Sequence, residues 1–143
     1  MVKSLGLLKG YTMILKLNKF AKLKEIQDDF AREFPYLKIE FFRHPHNVYE
    51  ASPKNDMRYA GELALAATKK YVDAELHVEG SMTVAQLEHA FLEAAGLHAQ
   101  VFRKSGTVWI ETSLTDDWTL EHQNKEGELL SAHRIFDPGN TND

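Results

Sequence analysis

The sequence predicts a single α+β domain, and three observations lead to that class. Residues 37–41 and 72–79 alternate apolar and polar side chains, as half-buried strands do. Residues 20–34 and 84–91 place apolar side chains three or four apart, as amphipathic helices do. The 143 residues, of which 43% are hydrophobic and 27% charged, suffice for one hydrophobic core.

The first strand–helix–strand unit spans about residues 12–43. Residues 12–17 are short, apolar and β-compatible, so they predict the first strand. Asn18 follows as a candidate N-cap of the helix. Pro35 ends that helix, and residues 37–41 supply the second strand.

Residues 44–71 predict a long central loop. The segment opens with two prolines and two asparagines, which favour irregular backbone. Within it, residues 52–70 have helical spacing, but Gly61 interrupts the pattern, so helix and loop stay open there.

The second unit spans about residues 72–112. Thr83 and Gln86 form the spacing of a capping box at the start of its helix. Gly96 is placed to end that helix in the left-handed conformation. A predicted strand follows the helix, and a second strand returns along it in a hairpin. This unit is therefore longer than the first.

The predicted hairpin has Ser105 and Gly106 as its two turn residues. In that register Phe102 faces Trp109, an aromatic cross-strand pair on the face opposite to Val101.

A C-terminal helix is predicted over about residues 115–130. Thr115 would cap it, Asp116 and Asp117 would occupy its first turn, and Gly127 would break or end it. Its apolar residues offer a cover for the hairpin's aromatic pair, and they are Trp118, Leu120, Leu129 and Leu130. Residues 1–136 therefore predict one domain, and residues 137–143, without an apolar side chain, predict a disordered tail.

The two units resemble each other. When the numbering is shifted by 60, the segment from Leu37 to His44 matches the segment from Leu97 to Lys104. Both segments begin with leucine and end with phenylalanine, arginine and a basic residue. The helices match at a shift of 61, and one residue lost at the helix end explains the difference. A duplicated β-α-β is the ferredoxin-like plan, here with an extra C-terminal strand in a hairpin and a C-terminal helix.

Three segments carry a family resemblance: residues 82–88 (MTVAQLE), residues 100–106 (QVFRKSG), and residues 115–120 (TDDWTL) with Gln123-Asn124. They resemble a group of small bacterial proteins of uncharacterised function, mainly over residues 80–130. The resemblance implies no activity; it implies that these segments are shared features of the group.

Composition excludes several classes of protein. The chain has no cysteine, which removes disulfide scaffolds, zinc-thiolate sites, iron–sulfur clusters and thiol catalysis. The apolar run at residues 5–8 ends at Lys9, and no stretch reaches the roughly 18 apolar residues of a membrane span. We therefore expect a cytoplasmic protein without a membrane segment.

The net charge of −4 is unevenly distributed. Residues 1–54 hold 10 bases and 6 acids, whereas residues 55–143 hold 7 bases and 15 acids. The segment from Met1 to Lys24 carries six lysines and no acid. Such a segment is compatible with weak nucleic-acid binding, although the acidic chain as a whole repels phosphate, and two halves that face each other in the fold would explain the asymmetry equally well.

No motif establishes an enzyme. His44-Pro45-His46 lacks spaced partners to complete a metal site, so we predict neither metal nor cofactor. Asp116-Asp117 is explained by the first turn of a helix. Phosphate-binding loops and nucleophile motifs are missing, and residues 74–79 carry acids where an RNA-binding sheet needs aromatics.

Three functional hypotheses follow. The first is a non-enzymatic domain that binds a protein partner or itself through the aromatic face of the hairpin. The second is a small-ligand or catalytic site near Arg103, Lys104 and Trp109. The third is weak nucleic-acid binding through the N-terminal lysines. The candidate binding residues are Phe102, Arg103, Lys104, Trp109 and Trp118.

Overall fold

The computed structural model describes residues 12–18, 20–45, 56–58, 60–62 and 73–136, without the side chains of 133–136. The predicted tail and most of the central segment, with its open question of a helix, lie outside these residues. Within them the chain is α+β, as predicted, with three α-helices and five strands in two antiparallel sheets. None of the helices described is long and apolar enough to cross a membrane.

The elements follow the predicted order. They are β1 (Thr12–Leu17), α1 (Leu23–Glu33), β2 (Leu37–Phe42), β3 (Ala74–Glu79), α2 (Val84–Ala95), β4 (His98–Ser105), β5 (Val108–Glu111), a short 3-10 helix (Ser113–Thr115) and α3 (Leu120–Phe136).

Each strand of the first unit pairs with a strand of the second. Strand β1 pairs with β3, and β2 pairs with β4, both antiparallel. Strand β5 extends the second sheet to the order β2-β4-β5. The ferredoxin-like arrangement is not confirmed, because the strands described form two sheets instead of one.

One hydrophobic core joins the two sheets and the helices. Helix α1 contacts β1 and β2, and α2 contacts β3 and β4, so each helix covers the strands of its own unit. Phe41 and Phe91 meet edge to face near the centre, with ring centroids 5.2 Å apart.

The buried positions of the two units correspond. Their numbers differ by 61 for buried positions in the first strand and the helix of each unit, and by 60 for those in the second strand. The change of one falls between the buried positions of the helix and those of the second strand. The pairs are Leu15 with Leu76, Leu17 with Val78, Ile26 with Leu87, Phe30 with Phe91, Ile39 with Ala99, and Phe41 with Val101.

Helices α1 and α2 also begin in the same way. In each helix, the first two backbone amides donate to two carbonyl groups in a segment that follows the second strand of the same unit. The two carbonyl groups lie two residues apart. These bonds satisfy amide donors that the first turn of a helix leaves unpaired. These bonds run from Leu23 to Glu62 (2.8 Å), Lys24 to Ala60 (2.8 Å), Val84 to Trp118 (3.0 Å) and Ala85 to Asp116 (2.8 Å).

The predicted ends of α2 are confirmed. Thr83 Oγ1 accepts from the Gln86 amide at 3.1 Å, and Gln86 Oε1 accepts from the Thr83 amide at 2.9 Å. Gly96 ends the helix at a φ of 69°, where a residue without a Cβ avoids strain.

The predicted cap of α1 is wrong. Asn18 Oδ1 accepts from the Phe20 amide at 2.9 Å, which makes a local turn ahead of the helix. The helix begins later, at Leu23, where Glu25 Oε1 accepts from the Lys22 amide at 3.2 Å.

The predicted start of the C-terminal helix is also wrong. Thr115 lies in the 3-10 helix, and Asp116 and Asp117 precede α3 instead of occupying its first turn. Thr119 has the capping role, since its Oγ1 accepts from the His122 amide at 3.1 Å.

Gly127 does not end α3; the helix continues to Phe136. A Cβ at position 127 would lie 2.9 Å from Tyr36 Cβ and 3.2 Å from both Arg103 Cγ and the Lys104 carbonyl oxygen. The glycine therefore lets α3 approach β2 and β4 closely, which is a packing role instead of a helix-breaking one.

A mostly polar stripe docks α3 onto the sheet. Asn124 Oδ1 accepts from the Tyr36 amide at 2.8 Å, and Ser131 Oγ accepts from the Gly106 amide at 3.2 Å. Of the four apolar residues predicted to cover the hairpin, only Leu120 lies in the core, whereas Leu129 and Leu130 are exposed by 52% and 36%. The inner stripe consists of Leu120, Gln123, Asn124, Gly127 and Ser131.

The hairpin register is shifted by two residues from the prediction. Ser105 lies opposite Val108, so Gly106 and Thr107 are the turn residues, and Trp109 lies opposite Lys104 instead of Phe102. Gly106 has a φ of 67°, which a two-residue hairpin turn requires.

We expect Gly127→Ala to destabilise the protein by about 1–3 kcal/mol, because the overlap with Tyr36 outweighs the gain of about 1 kcal/mol in helix propensity. Urea unfolding followed by circular dichroism measures the change. Glu128→Ala, on the exposed side of α3, is the control and should be near neutral. A Gly127→Ala variant more stable than the wild type would contradict the close approach.

Candidate functional site

Strand β4 separates the predicted site residues onto two faces. We call the face of the β2-β4-β5 sheet that carries Val101 the inner face, because Val101 is buried in the core. Side chains alternate along a strand, so Arg103 also belongs to the inner face, whereas Phe102 and Lys104 belong to the other, the outer face. Trp109, directly opposite Lys104, shares the outer face.

Arg103 joins the sheet to α3 on the inner side. Its Nη1 donates to Gln123 Oε1 at 2.8 Å, and its guanidinium carbon lies 5.5 Å from the centre of the Trp118 ring. Gln123 is fully buried, and its Nε2 donates to both the carbonyl and the Oγ1 of Thr115 at 2.8 Å. The ring of His122 stacks on Trp118 with centroids 4.2 Å apart.

These contacts show that Arg103 and Trp118 hold α3 in place. The structure brings them together with each other but not with Lys104 and Trp109, which lie across the sheet. Arg103 lies on the inner face, whereas Lys104 and Trp109 lie on the outer face. A single ligand on one face of β4 therefore cannot contact all three side chains. Nε of Arg103 is buried without a hydrogen-bond partner in the described residues. Burial of this unsatisfied donor is energetically unfavourable.

On the outer face, lysines surround the rings of Phe102 and Trp109. Lys38 Nζ lies 5.2 Å from the Trp109 centroid and 5.3 Å from the Phe102 centroid, both within cation–π distance. Lys104 Nζ lies 5.9 Å from the Trp109 centroid. Lys38 is a residue that the sequence reasoning missed, since only the pairing of β2 with β4 places it opposite Phe102.

Acidic residues balance the lysines of the outer face. Glu40 Oε2 lies 3.5 Å from Lys38 Nζ, and its Oε1 accepts from Gln27 Nε2 at 3.0 Å. Glu111 lies opposite Phe102 and is exposed. Within the described residues, neither Lys104 nor Glu111 forms an ion pair.

Helix α3 does not cover this outer aromatic patch, which we define as Lys38, Phe102, Lys104, Trp109 and Glu111. The helix packs at Arg103, on the other side of the sheet. Trp109 remains 37% exposed. The patch is therefore the open surface with the greatest aromatic character among the candidate residues.

Arg43 and Arg103 lie at opposite ends of the β2–β4 ladder. Antiparallel pairing sets Arg103 opposite Leu37, at the start of β2, whereas Arg43 follows the end of β2. The two arginines therefore cannot bind one small anion together.

His44 and Asp56 form a separate polar cluster beside Arg43. His44 Nδ1 lies 2.8 Å from Asp56 Oδ1, and the His44 amide donates to Asp56 Oδ2 at 2.8 Å. Burial alone would raise the pKa of the Asp56 carboxyl, but hydrogen bonds from His44 and the charges of His44 and Arg43 lower it below its ordinary value of 3.8. This cluster fastens the end of β2 to the described part of the central segment.

A surface cavity of about 470 Å³ lies along the β1–β3 ribbon. It contains none of the predicted site residues and is lined by Thr12, Met13, Ile14, His77, Val78 and Glu79. In the described part of the chain, no group of three or more histidine, aspartate or glutamate side chains could hold a metal ion.

No protein-family model, curated protein or solved structure matches this chain.

Lys38→Met should lower the free energy of unfolding by about 0.5–1 kcal/mol for each cation–π contact it removes. The fluorescence of Trp109 should change as well, because a charge leaves the indole face. Equilibrium unfolding and emission spectra measure both effects. Lys125→Met, on an exposed turn of α3, is the matched control, and equal effects of the two substitutions would refute the contact.

Asp56→Asn should destabilise the protein near neutral pH and have less effect in acid. Because folding lowers the pKa of Asp56, its stabilisation is complete above the ordinary value of 3.8 and is lost as the pH falls through the folded-state pKa. Unfolding free energies measured from about pH 6 down to pH 2 should converge for wild type and variant. Asp28→Asn, at an exposed helix position, is the control; a difference that stays constant with pH would contradict the lowered pKa.

Proposed function

We propose that this chain is a non-enzymatic cytoplasmic assembly domain that binds a second copy of itself through the outer aromatic patch. The exposed indole of Trp109, on a sheet face that α3 leaves open, carries this proposal. Tryptophan is enriched at the centres of protein interfaces, where its large apolar area is removed from water.

The charges of the outer face favour a copy of the same chain as the partner. Among the described strand residues, two lysines, 38 and 104, and two glutamates, 40 and 111, share this face, so their formal charges cancel. A nucleic acid requires a net positive surface, and a strongly acidic or basic protein requires the opposite sign. A face with equal numbers of both signs can complement itself.

We also propose that the domain arose by duplication of a β-α-β unit, the finer form of the predicted fold. The matching buried positions, whose numbers differ by 61 or 60, support this origin, as does the shared capping of α1 and α2 by carbonyls two residues apart. In both ladders, equivalent residues pair directly: Leu15 with Leu76, and Glu40 with Gln100. Such pairing is expected when an approximate two-fold axis passes through both sheets.

Trp109→Ala should weaken self-association about thirtyfold, the effect of losing an interface anchor worth about 2 kcal/mol. Sedimentation velocity over a concentration series of wild-type protein, from about 1 to 500 µM, measures the dimer dissociation constant; the range covers the micromolar affinity expected of a small interface. Leu129→Ala removes an apolar side chain that is more exposed but lies on α3, and it should leave the constant unchanged.

A wild-type chain that stays monomeric over the whole range would refute self-association. Equal weakening by both variants would refute the outer aromatic patch as the contact. Saturable, salt-sensitive binding of a single-stranded oligonucleotide, abolished by Trp109→Ala, would assign the patch to nucleic acid and reject the proposal.

A further inference from the structure

We propose that the two copies meet in a symmetric contact in which Lys104 of each pairs with Glu111 of the other. This inference rests on the proposed self-association and adds its geometry and the residues that determine its specificity. A two-fold interface uses the same patch twice, so each residue's partner must be found on the same surface.

Four residues of the hairpin form a quadrilateral on the outer face. Lys104 lies opposite Trp109, and Phe102 lies opposite Glu111, in adjacent rows. Rows two residues apart are separated by about 6.7 Å along a strand, and paired strands by about 4.8 Å. The charged residues therefore occupy one diagonal of the quadrilateral, and the aromatic residues occupy the other.

This arrangement fits a two-fold axis that lies between the two sheets and runs parallel to the aromatic diagonal. Rotation about that axis brings the Lys104 corner of one copy close to the Glu111 corner of the other, within reach of these long side chains, and the reverse pair forms at the same time. The aromatic corners lie along the axis, where Trp109 meets its own counterpart. The two sheets then cross closer to perpendicular than to aligned, which is one of the two ways in which sheets pack face to face.

The charges on this diagonal are available for such a contact. Neither Lys104 nor Glu111 forms an ion pair in the part of the chain described, whereas Lys38 on the same face already lies 3.5 Å from Glu40. A charge buried in an interface without a partner is strongly unfavourable. The symmetric contact gives each of the two charges a partner of opposite sign.

Single charge reversals test the pairing. In Lys104→Glu both corners of the diagonal are negative, and in Glu111→Lys both are positive, so each variant alone should dimerise at least tenfold more weakly than wild type. Mixed in equal amounts, the two variants should form a heterodimer of nearly wild-type affinity, because both cross-pairs then join opposite charges. The double variant, with both reversals in one chain, should also recover.

The measurement is sedimentation velocity of each variant, of the double variant and of the mixture, with one component carrying a fluorescent label in the mixture. Lys125→Glu and Glu128→Lys reverse an exposed ion pair on α3, whose nitrogen and oxygen lie 3.6 Å apart, and provide the matched control. These variants should dimerise like wild type, alone or mixed.

The outcomes separate this inference from the proposed function. If wild type dimerises and Trp109→Ala weakens the dimer as expected, but the mixture associates no better than the single variants, the patch is the interface and the Lys104–Glu111 pairing is wrong. If the single reversals dimerise as tightly as wild type, the pairing is also wrong. A monomeric wild type overturns both.

Discussion

The pairing of β4 with β2 and β5 determines most of what this structure presents to its surroundings. With a strand on each edge, β4 has fixed faces, and a shift of one residue would exchange every side chain between them. Val101, buried in the core, sets which face is inward. Arg103 must then point toward α3, and Phe102 and Lys104 must point away, although the three are consecutive in the chain.

Local patterns in the sequence located the described strands and helices α1 and α2 to within a few residues, because such patterns reflect which side of a single element is buried. The C-terminal helix begins at Leu120 instead of Thr115 and continues to Phe136, so its predicted bounds were wrong. The capping box at Thr83 followed from local chemistry in the same way. The pairing of β2 with β4 depends on contacts between segments far apart in the chain, so alternation alone could not reveal that Lys38 lies over Trp109. The role of Gly127 was hidden for a similar reason: a glycine required by a close neighbour and one that ends a helix are identical in sequence.

The uneven charge of the chain acquires a structural meaning. Strands of the first half pair with strands of the second half and not with each other in the described residues. The basic and acidic halves are thus interleaved within one molecule, for example where Lys16 lies opposite Glu75 in the β1–β3 ladder. On the outer face each half contributes one charge of each sign: Lys38 and Glu40 come from the first half, and Lys104 and Glu111 from the second.

The polar stripe of α3 has consequences for how that helix is held. Apolar packing tolerates small sliding movements, whereas hydrogen bonds to single backbone amides at Tyr36 and Gly106 select one axial position. Directional hydrogen bonds therefore fix the position of the C-terminal helix on the sheet, while the hydrophobic core of the two units provides most of the stability.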